Sequence, residues 1–386
     1  MLSTLLAASL IAILLFNMTS QTASANSSPE NFTIVALPDT QFYSESYPMI
    51  FENQTEWIVQ NENILNIVFV AHLGDIVNVS SQDYQWQNAD NAMSILDGKV
   101  PYGILPGNHD VGTEYERYFP ASRYEWYSYW GGSYDSTNKN NYQLFSAGGM
   151  DFIALNLQYN PPTDVLSWAD NVLSEYSDRR AIISTHSYLN TNGSFTDTGG
   201  TRIYNNVVVP ENNVFLVLCG HMHGEARRSD NNLENKTVYQ LLSDYQSLAN
   251  GGNGWLRIMK FVPSENTIYV KTYSPYLDQY DNDSNSQFEL YYSMNPTVAI
   301  AGEGISLWVY VGAIAVIVVI IAVALVVKPF RRFRFQPPSG AQRSAYQKIK
   351  NLTFKVSALW PRAYPFQDRL LLDFQSFVFE SAYRPC

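Results

Sequence analysis

Two carboxylates, two carboxamides and four imidazoles stand in this chain at the ends of short apolar runs. They are Asp39 and Gln41 in Asp-Thr-Gln, Asp75 after Gly74, Asn108 and His109 in Gly-Asn-His-Asp, His186 alone, and His221 and His223 in Gly-His-Met-His. Four of the chain's five histidines belong to the series, so the imidazoles are concentrated where the carboxylates are. Groups of this kind, once gathered, repel one another or stay unpaired unless a cation joins them. A pair of divalent metal ions is the simplest answer.

The runs that must position them cover residues 33–37, 67–71, 102–105, 181–184 and 214–219. They are short and apolar, as buried strands are, and predict that the polar groups converge at one sheet edge. Residues 49–65, 84–96 and 164–176 place apolar side chains at helical spacing. Strand and helix therefore alternate, which implies α/β layering. The later runs at 237–242, 256–262 and 267–273 have no helix between them and predict a second, partly antiparallel sheet. The aromatic stretch from 115 to 142 reads as a long ordered loop near the site, its rings serving either packing or substrate contact.

These motifs, in this order, resemble those of the calcineurin-like metallophosphoesterase superfamily over roughly residues 32–273. The resemblance implies a four-layered α/β/β/α sandwich. It also implies residue roles: Asp39, Gln41 and His223 on one metal, Asn108, His186 and His221 on the other, and Asp75 bridging both. Two such cations (Mn²⁺, Fe, Zn²⁺ or Mg²⁺) share a hydroxide and clamp a phosphate oxygen as it attacks in line. His109, by the same resemblance, is the general acid for the leaving oxygen rather than a ligand. The stretch Leu241-Leu242-Ser243-Asp244-Tyr245-Gln246 and the glycine-rich one after it look like those of secreted prokaryotic members with an Asp-Thr-Gln first motif. Those glycines lack the Lys-Ser/Thr of a phosphate loop and read as a turn joining two strands.

Departures from the pattern carry chemistry too. Gln41 stands where the commoner motif has a histidine, which weakens the first site or shifts it toward harder ions such as Mn²⁺ or Mg²⁺; the alternative is that Gln41 only hydrogen-bonds a ligand. Asn78 occupies the place of a metal-binding tyrosine in purple acid phosphatases and of an acid-orienting aspartate in protein phosphatases. There it can accept a hydrogen bond from the His109 ring but cannot stabilise the imidazolium by charge. His72 shares a strand face with Val70 and Gly74 rather than Asp75 and reads as structural. Asp110 reads as an anchor of the following helix. Arg202, Arg227 and Arg228 are the late cations near the motifs, each a candidate for phosphate and each also readable as a solvated surface residue.

Charge and hydropathy set the surroundings. Residues 1–25 have an apolar stretch and end Ala-Ser-Ala, as a secretory signal does, although the missing basic n-region leaves an uncleaved anchor as the alternative. Residues 305–327 contain no charge over 23 positions, about 35 Å as a helix, which is enough to cross a bilayer. Residues 328–386 carry 11 Lys and Arg against 3 Asp and Glu, whereas residues 1–327 carry 13 against 32. The basic tail is expected to stay in the cytoplasm beside an anionic leaflet, with the acidic domain outside. An acidic domain argues against a nucleic-acid surface. Cys219 and Cys386 then lie on opposite sides of the membrane, which excludes a disulfide between them.

The expected organisation is a signal peptide (1–25), a phosphoesterase domain (26–291), a spacer (292–304), a transmembrane helix (305–327) and a basic cytoplasmic tail (328–386). The expected activity is hydrolysis of phosphate mono- or diesters. A cell-surface binding module that keeps metals for stability is the alternative from another class, and His109, which such a module does not need, discriminates them.

Overall fold

A computed structural model describes residues 30–294; the expected signal peptide, transmembrane helix and basic tail lie outside them. Among the described residues no helix is long and apolar enough to cross a membrane.

The chain runs β1 (Phe32–Leu37), α1 (Gln41–Ser46), α2 (Pro48–Leu65), β2 (Ile67–His72), α3 (Asp83–Ser94), β3 (Tyr102–Gly103), α4 (Glu114–Tyr118), β4 (Trp130–Ser133), β5 (Asn141–Ala147) and β6 (Met150–Leu157). It continues with α5 (Thr163–Glu175), β7 (Arg180–Thr185), β8 (Val214–Cys219), β9 (Gly224–Asn231), β10 (Thr237–Asp244), β11 (Leu256–Val262), β12 (Thr267–Ser274), β13 (Gln279–Asp281) and β14 (Gln287–Tyr291). One sheet has the order β13-β12-β11-β1-β2-β3, with β14 also on β12, and the other β4-β5-β6-β7-β8-β10-β9.

Side-chain alternation decides the layering. In β1, Phe32, Ile34 and Ala36 enter the core between the two sheets, where they meet Phe152, Ala154, Leu216 and Met259. Val35 and Leu37 point the other way, toward Ile50, Phe51 and Ile58 of α2 and Trp86 and Met93 of α3. In β6, Ile153, Leu155 and Leu157 turn outward to Val165, Leu166, Ala169 and Leu173 of α5. A period of two puts successive strand residues on opposite faces, so each central strand feeds two cores. The result is a sandwich of helices, sheet, sheet and helices.

α2 starts with Pro48, whose missing N–H costs nothing in the first turn. It stops at Asn66, left-handed at φ 50, and returns the chain to β2, parallel to β1.

Two expectations are corrected. The three late strands do not share a second sheet: β10 pairs with β8 and β9, while β11 joins β1 in the first sheet and carries β12 with it. The glycine-rich turn between β10 and β11 thus passes from one sheet to the other. Residues 115–142, expected as one loop, contain most of α4, β4 and the start of β5. Tyr115, Phe119 and Tyr124 are fully or almost fully buried in the helix-side core, so these rings pack.

Candidate metal centre

The motif residues sit at the C-terminal ends of β1 and β2, in the loop after β3, and at the ends of β7 and β8. Those strands belong to two facing sheets, so the polar groups meet across the sandwich rather than along one sheet edge. Each loop leaves its strand at the same rim because the strands of each set run parallel.

The turn after β2 is the tightest. Gly74 has φ 90 and Asp75 φ 47; a non-glycine residue in that region stores strain, and here the strain aims the carboxylate at the rim. His221 is held likewise at φ 73. Gly107 and Gly220 serve by absence of bulk: a Cβ there would lie 2.1 Å from Asp75 Oδ1 and 2.3 Å from Asp39 Oδ1 respectively. His72 and Asp110 brace these loops. The Gly74 N–H donates to His72 Nδ1 (3.2 Å), so the ring proton is on Nε2 and goes to Thr40 Oγ1 (3.0 Å), whose own proton goes to the Ile76 carbonyl (3.3 Å). Burial drives the pKa of His72 down to about 3, as a structural histidine requires. Asp110 accepts from the backbone N–H groups of Ile76, Val77 and Gly107 at 2.8–3.0 Å. It ties the loops after β2 and β3 together instead of anchoring the helix that follows it.

Three potential ligand atoms crowd around His186 Nε2. His186 Nδ1 donates to the Leu73 carbonyl (2.9 Å), which leaves Nε2 facing inward. Asn108 Oδ1 lies 3.0 Å from it, Asp75 Oδ2 3.1 Å and His221 Nδ1 3.2 Å. Ligand atoms of Asp75, His186 and His221 lie within 4.8 Å of one another. Burial, and then the His186 ring, lowers the pKa of His221 to about 4. It is therefore neutral, the form that binds metal. Acceptor atoms so close together with so few protons fit a divalent cation.

Asp39, Gln41 and His223 are brought to the same place from other elements. Asp39 is 2% exposed and accepts the His221 N–H at Oδ2 (3.2 Å), while Oδ1 has no hydrogen-bond partner. Burial, Asp244 and Asp75 push its pKa well above the ordinary carboxylate range, a cost that a cation removes. Gln41, the first residue of α1, is 3% exposed and its Oε1 is likewise unpartnered. His223 is exposed and lines the cavity, of about 190 Å³, together with Gln41, Asp75, Asn108, His109 and His221.

His109 stands apart from the ligand set. Its backbone N–H donates to Asp75 Oδ1 (2.9 Å) and its Nδ1 donates to the Asn78 carbonyl (2.7 Å), so Nε2 is free. The expected contact with the Asn78 side chain is corrected: Asn78 Nδ2 donates to Glu45 Oε1 (2.8 Å) of α1, and the backbone carbonyl holds the ring. A carbonyl fixes the tautomer without supplying charge, so the consequence foreseen for His109 is kept by another atom. The three arginines are engaged elsewhere. Arg202 donates to Asn160 Oδ1 (3.1 Å), Arg227 lies over the Phe288 ring and Arg228 pairs with Asp230 over the Phe195 ring. Among the described residues no Lys or Arg lines the cavity.

Sequence reasoning missed Glu45 and the Tyr159 ring beside His186 and His221 (centroids 5.9 and 5.5 Å), and gave Asp244 and Gln246, quoted only in a stretch resembling secreted members, no role in the site. The last pair had a signal, since an apolar run ends at Leu242 and polar residues follow, as in every other motif.

The chain is similar to several known proteins. An uncharacterized protein of Bacillus subtilis (strain 168), YvnB, is 38% identical over 286 residues, which are 69% of this chain and 22% of YvnB. The chain thus spans about a fifth of that relative. Among solved structures, a purple acid phosphatase from yellow lupin (Lupinus luteus) seeds has a TM-score of 0.45 at 13% identity, covering 68% of this chain and 54% of that one. A dimetal phosphatase from Danio rerio has a TM-score of 0.45 at 14% identity, covering 68% and 99%. Residues 32–225, from the first strand of the site through its last histidine, match the model of the calcineurin-like phosphoesterases, and the chain belongs to that family.

Proposed function

We propose that this protein is a dinuclear, divalent-metal-dependent phosphoesterase that hydrolyses phosphate mono- or diesters. The observation that carries it is the gathering of Asn108 Oδ1, Asp75 Oδ2 and His221 Nδ1 within 3.2 Å of His186 Nε2, beside the unpartnered oxygens of Asp39 and Gln41. Asn108, His186 and His221 would hold one ion, Asp39, Gln41 and His223 the other, and Asp75 would bridge. When bound, such ions make water acidic and neutralise phosphate charge.

The protein's own groups do the rest. The Leu73 carbonyl and the Asp75 carboxylate keep the His186 ring turned so that Nε2 faces the site. The Asn78 carbonyl holds the His109 proton on Nδ1, so an imidazolium there presents its Nε2 proton to a leaving oxygen. Phe42 forms one wall of the cavity. The wider setting we propose is extracellular, tethered by one transmembrane helix at 305–327 with the basic tail inside; the hydropathy and charge asymmetry of the sequence support it.

A panel of aryl phosphate mono- and diesters, nucleotides and lipid phosphates, assayed with metal analysis of the purified protein, tests the reading. Hydrolysis that rises with the second equivalent of metal is expected. A folded, metal-supplemented protein that binds no metal overturns it.

A further inference from the structure

We infer that Gln246 is a further ligand of the first metal, through its side-chain oxygen, and that Asp244 is the residue that aims it. The inference rests on the dinuclear reading above and adds a member to the ligand set that the five motifs do not contain.

Gln246 follows β10 and is 5% exposed, yet it lines the cavity. Its backbone N–H donates to Asp244 Oδ1 (2.9 Å), and its Nε2 donates to Asp244 Oδ2 (3.2 Å) and Asp39 Oδ2 (3.3 Å). Turning the amide over would press Oε1 against two carboxylates, so the chemistry of its neighbours sets which end faces which way. Oε1 is left buried with no partner.

Two other oxygens around this centre share that state, Asp39 Oδ1 and Gln41 Oε1. An unanswered buried acceptor destabilises the folded chain. Three of them gather around one centre, on the loop after β1, at the start of α1 and just after β10, and a cation among them would answer all three at once. Two carboxamide oxygens and a carboxylate form a hard donor set, which suits Mn²⁺ or Mg²⁺ better than Zn²⁺. Gln41 and Gln246 then act as a pair: the histidine missing from the first motif is answered by a second amide from a distant strand. Both Asp244 oxygens accept from Gln246, so Asp244 acts on the ion through the amide it orients; it is a positioning residue.

The test titrates full-length, chelator-stripped protein with Mn²⁺ and with Zn²⁺ in a calorimeter, alongside Mn²⁺ electron paramagnetic resonance and thermal melting of the metal-free form. Gln246→Met keeps the length of the side chain and removes the oxygen. One of two Mn²⁺ binding events is expected to weaken at least about tenfold, about 1.4 kcal/mol, with a smaller change for Zn²⁺ and loss of the spin-coupled pair signal. Asp244→Asn is expected to lose Mn²⁺ affinity in the same direction by turning the Gln246 amide. Should Gln246→Met fail to fold, Gln246→Asn, which keeps the amide but shortens its reach by one carbon, is expected to show the same loss. Wild-type Mn²⁺ affinity at both sites in a folded Gln246 variant overturns the inference. Fewer than two ions bound by the wild-type protein overturns the dinuclear reading itself, a different result.

Discussion

The two halves of the proposed metal centre are built in opposite ways. Around His186 the donor atoms stand within hydrogen-bond distance of one another, and the imidazole orientations are fixed by backbone carbonyls and neighbouring rings. Around Gln41, Asp39 Oδ1, Gln41 Oε1 and Gln246 Oε1 have no partner, and the one histidine, His223, is exposed. The difference teaches that the fold assembles one half by itself and leaves the other with acceptors that, in the dinuclear reading, an ion would answer. The His186 half should therefore bind first and tightest, and the Gln41 half should discriminate among metals.

The largest effect should come from the residue that both halves share. Asp75→Ala is expected to abolish hydrolysis and to weaken both metal-binding events, read by elemental analysis and by steady-state rates; an active variant means that the halves do not share a bridge. His109→Ala should keep both metals but lose roughly 10²–10⁴-fold in rate on esters with poor leaving groups. On an activated aryl ester the loss should be much smaller, and equal losses on both would move His109 from proton donor to phosphate binder.

His186→Ala breaks the preassembled half. It should weaken the tighter of two binding events by more than the roughly 10–100-fold typical of losing an outer-shell partner, while leaving the weaker event in place. Loss of the weaker event instead would reverse the assignment of the halves. Gln41→His should tighten the other half for Zn²⁺, on the order of tenfold, because imidazole binds it better than a carboxamide does. Unchanged affinity in that variant means that Gln41 is not a ligand.

The remaining effect is on stability rather than on metal binding or rate, and concerns the brace beneath both halves. His72 is neutral when folded, with a pKa of about 3, so unfolding takes up a proton at any pH between that value and its ordinary one. Its contribution is constant above about pH 6.5 and declines by about 1.4 kcal/mol per unit below it. Melting curves of the metal-free protein between pH 7 and 4 should show this slope, and His72→Gln should flatten it.

The sequence announced the series Asp39, Gln41, Asp75, Asn108, His186, His221 and His223 because each follows an apolar strand, and strand ends are where a parallel sheet turns its loops outward. It also announced α2, α3 and α5 within one residue at most boundaries and two at the end of α3, since their apolar spacing has only one helical reading. The β5–β6 hairpin went unseen because its inner face carries Asn141, Gln143 and Asn156, which bond to one another and break the apolar pattern. The role of Asn78 was misread for a related reason. A side chain next to His109 by motif geometry was claimed by Glu45, which comes from another element.

What the sequence determined alone is the inventory of donors and their order along strands, because residue type fixes which atoms can bind a cation and periodicity fixes which residues end a strand. What only the tertiary structure decided is which donors already have partners. Gln246 and Gln41 are distant in the chain, and Asp39 is bonded on one oxygen and bare on the other. That distinction depends on atoms brought together from both sheets, and hydrogen-bond satisfaction is a property of the packed chain that no local stretch carries.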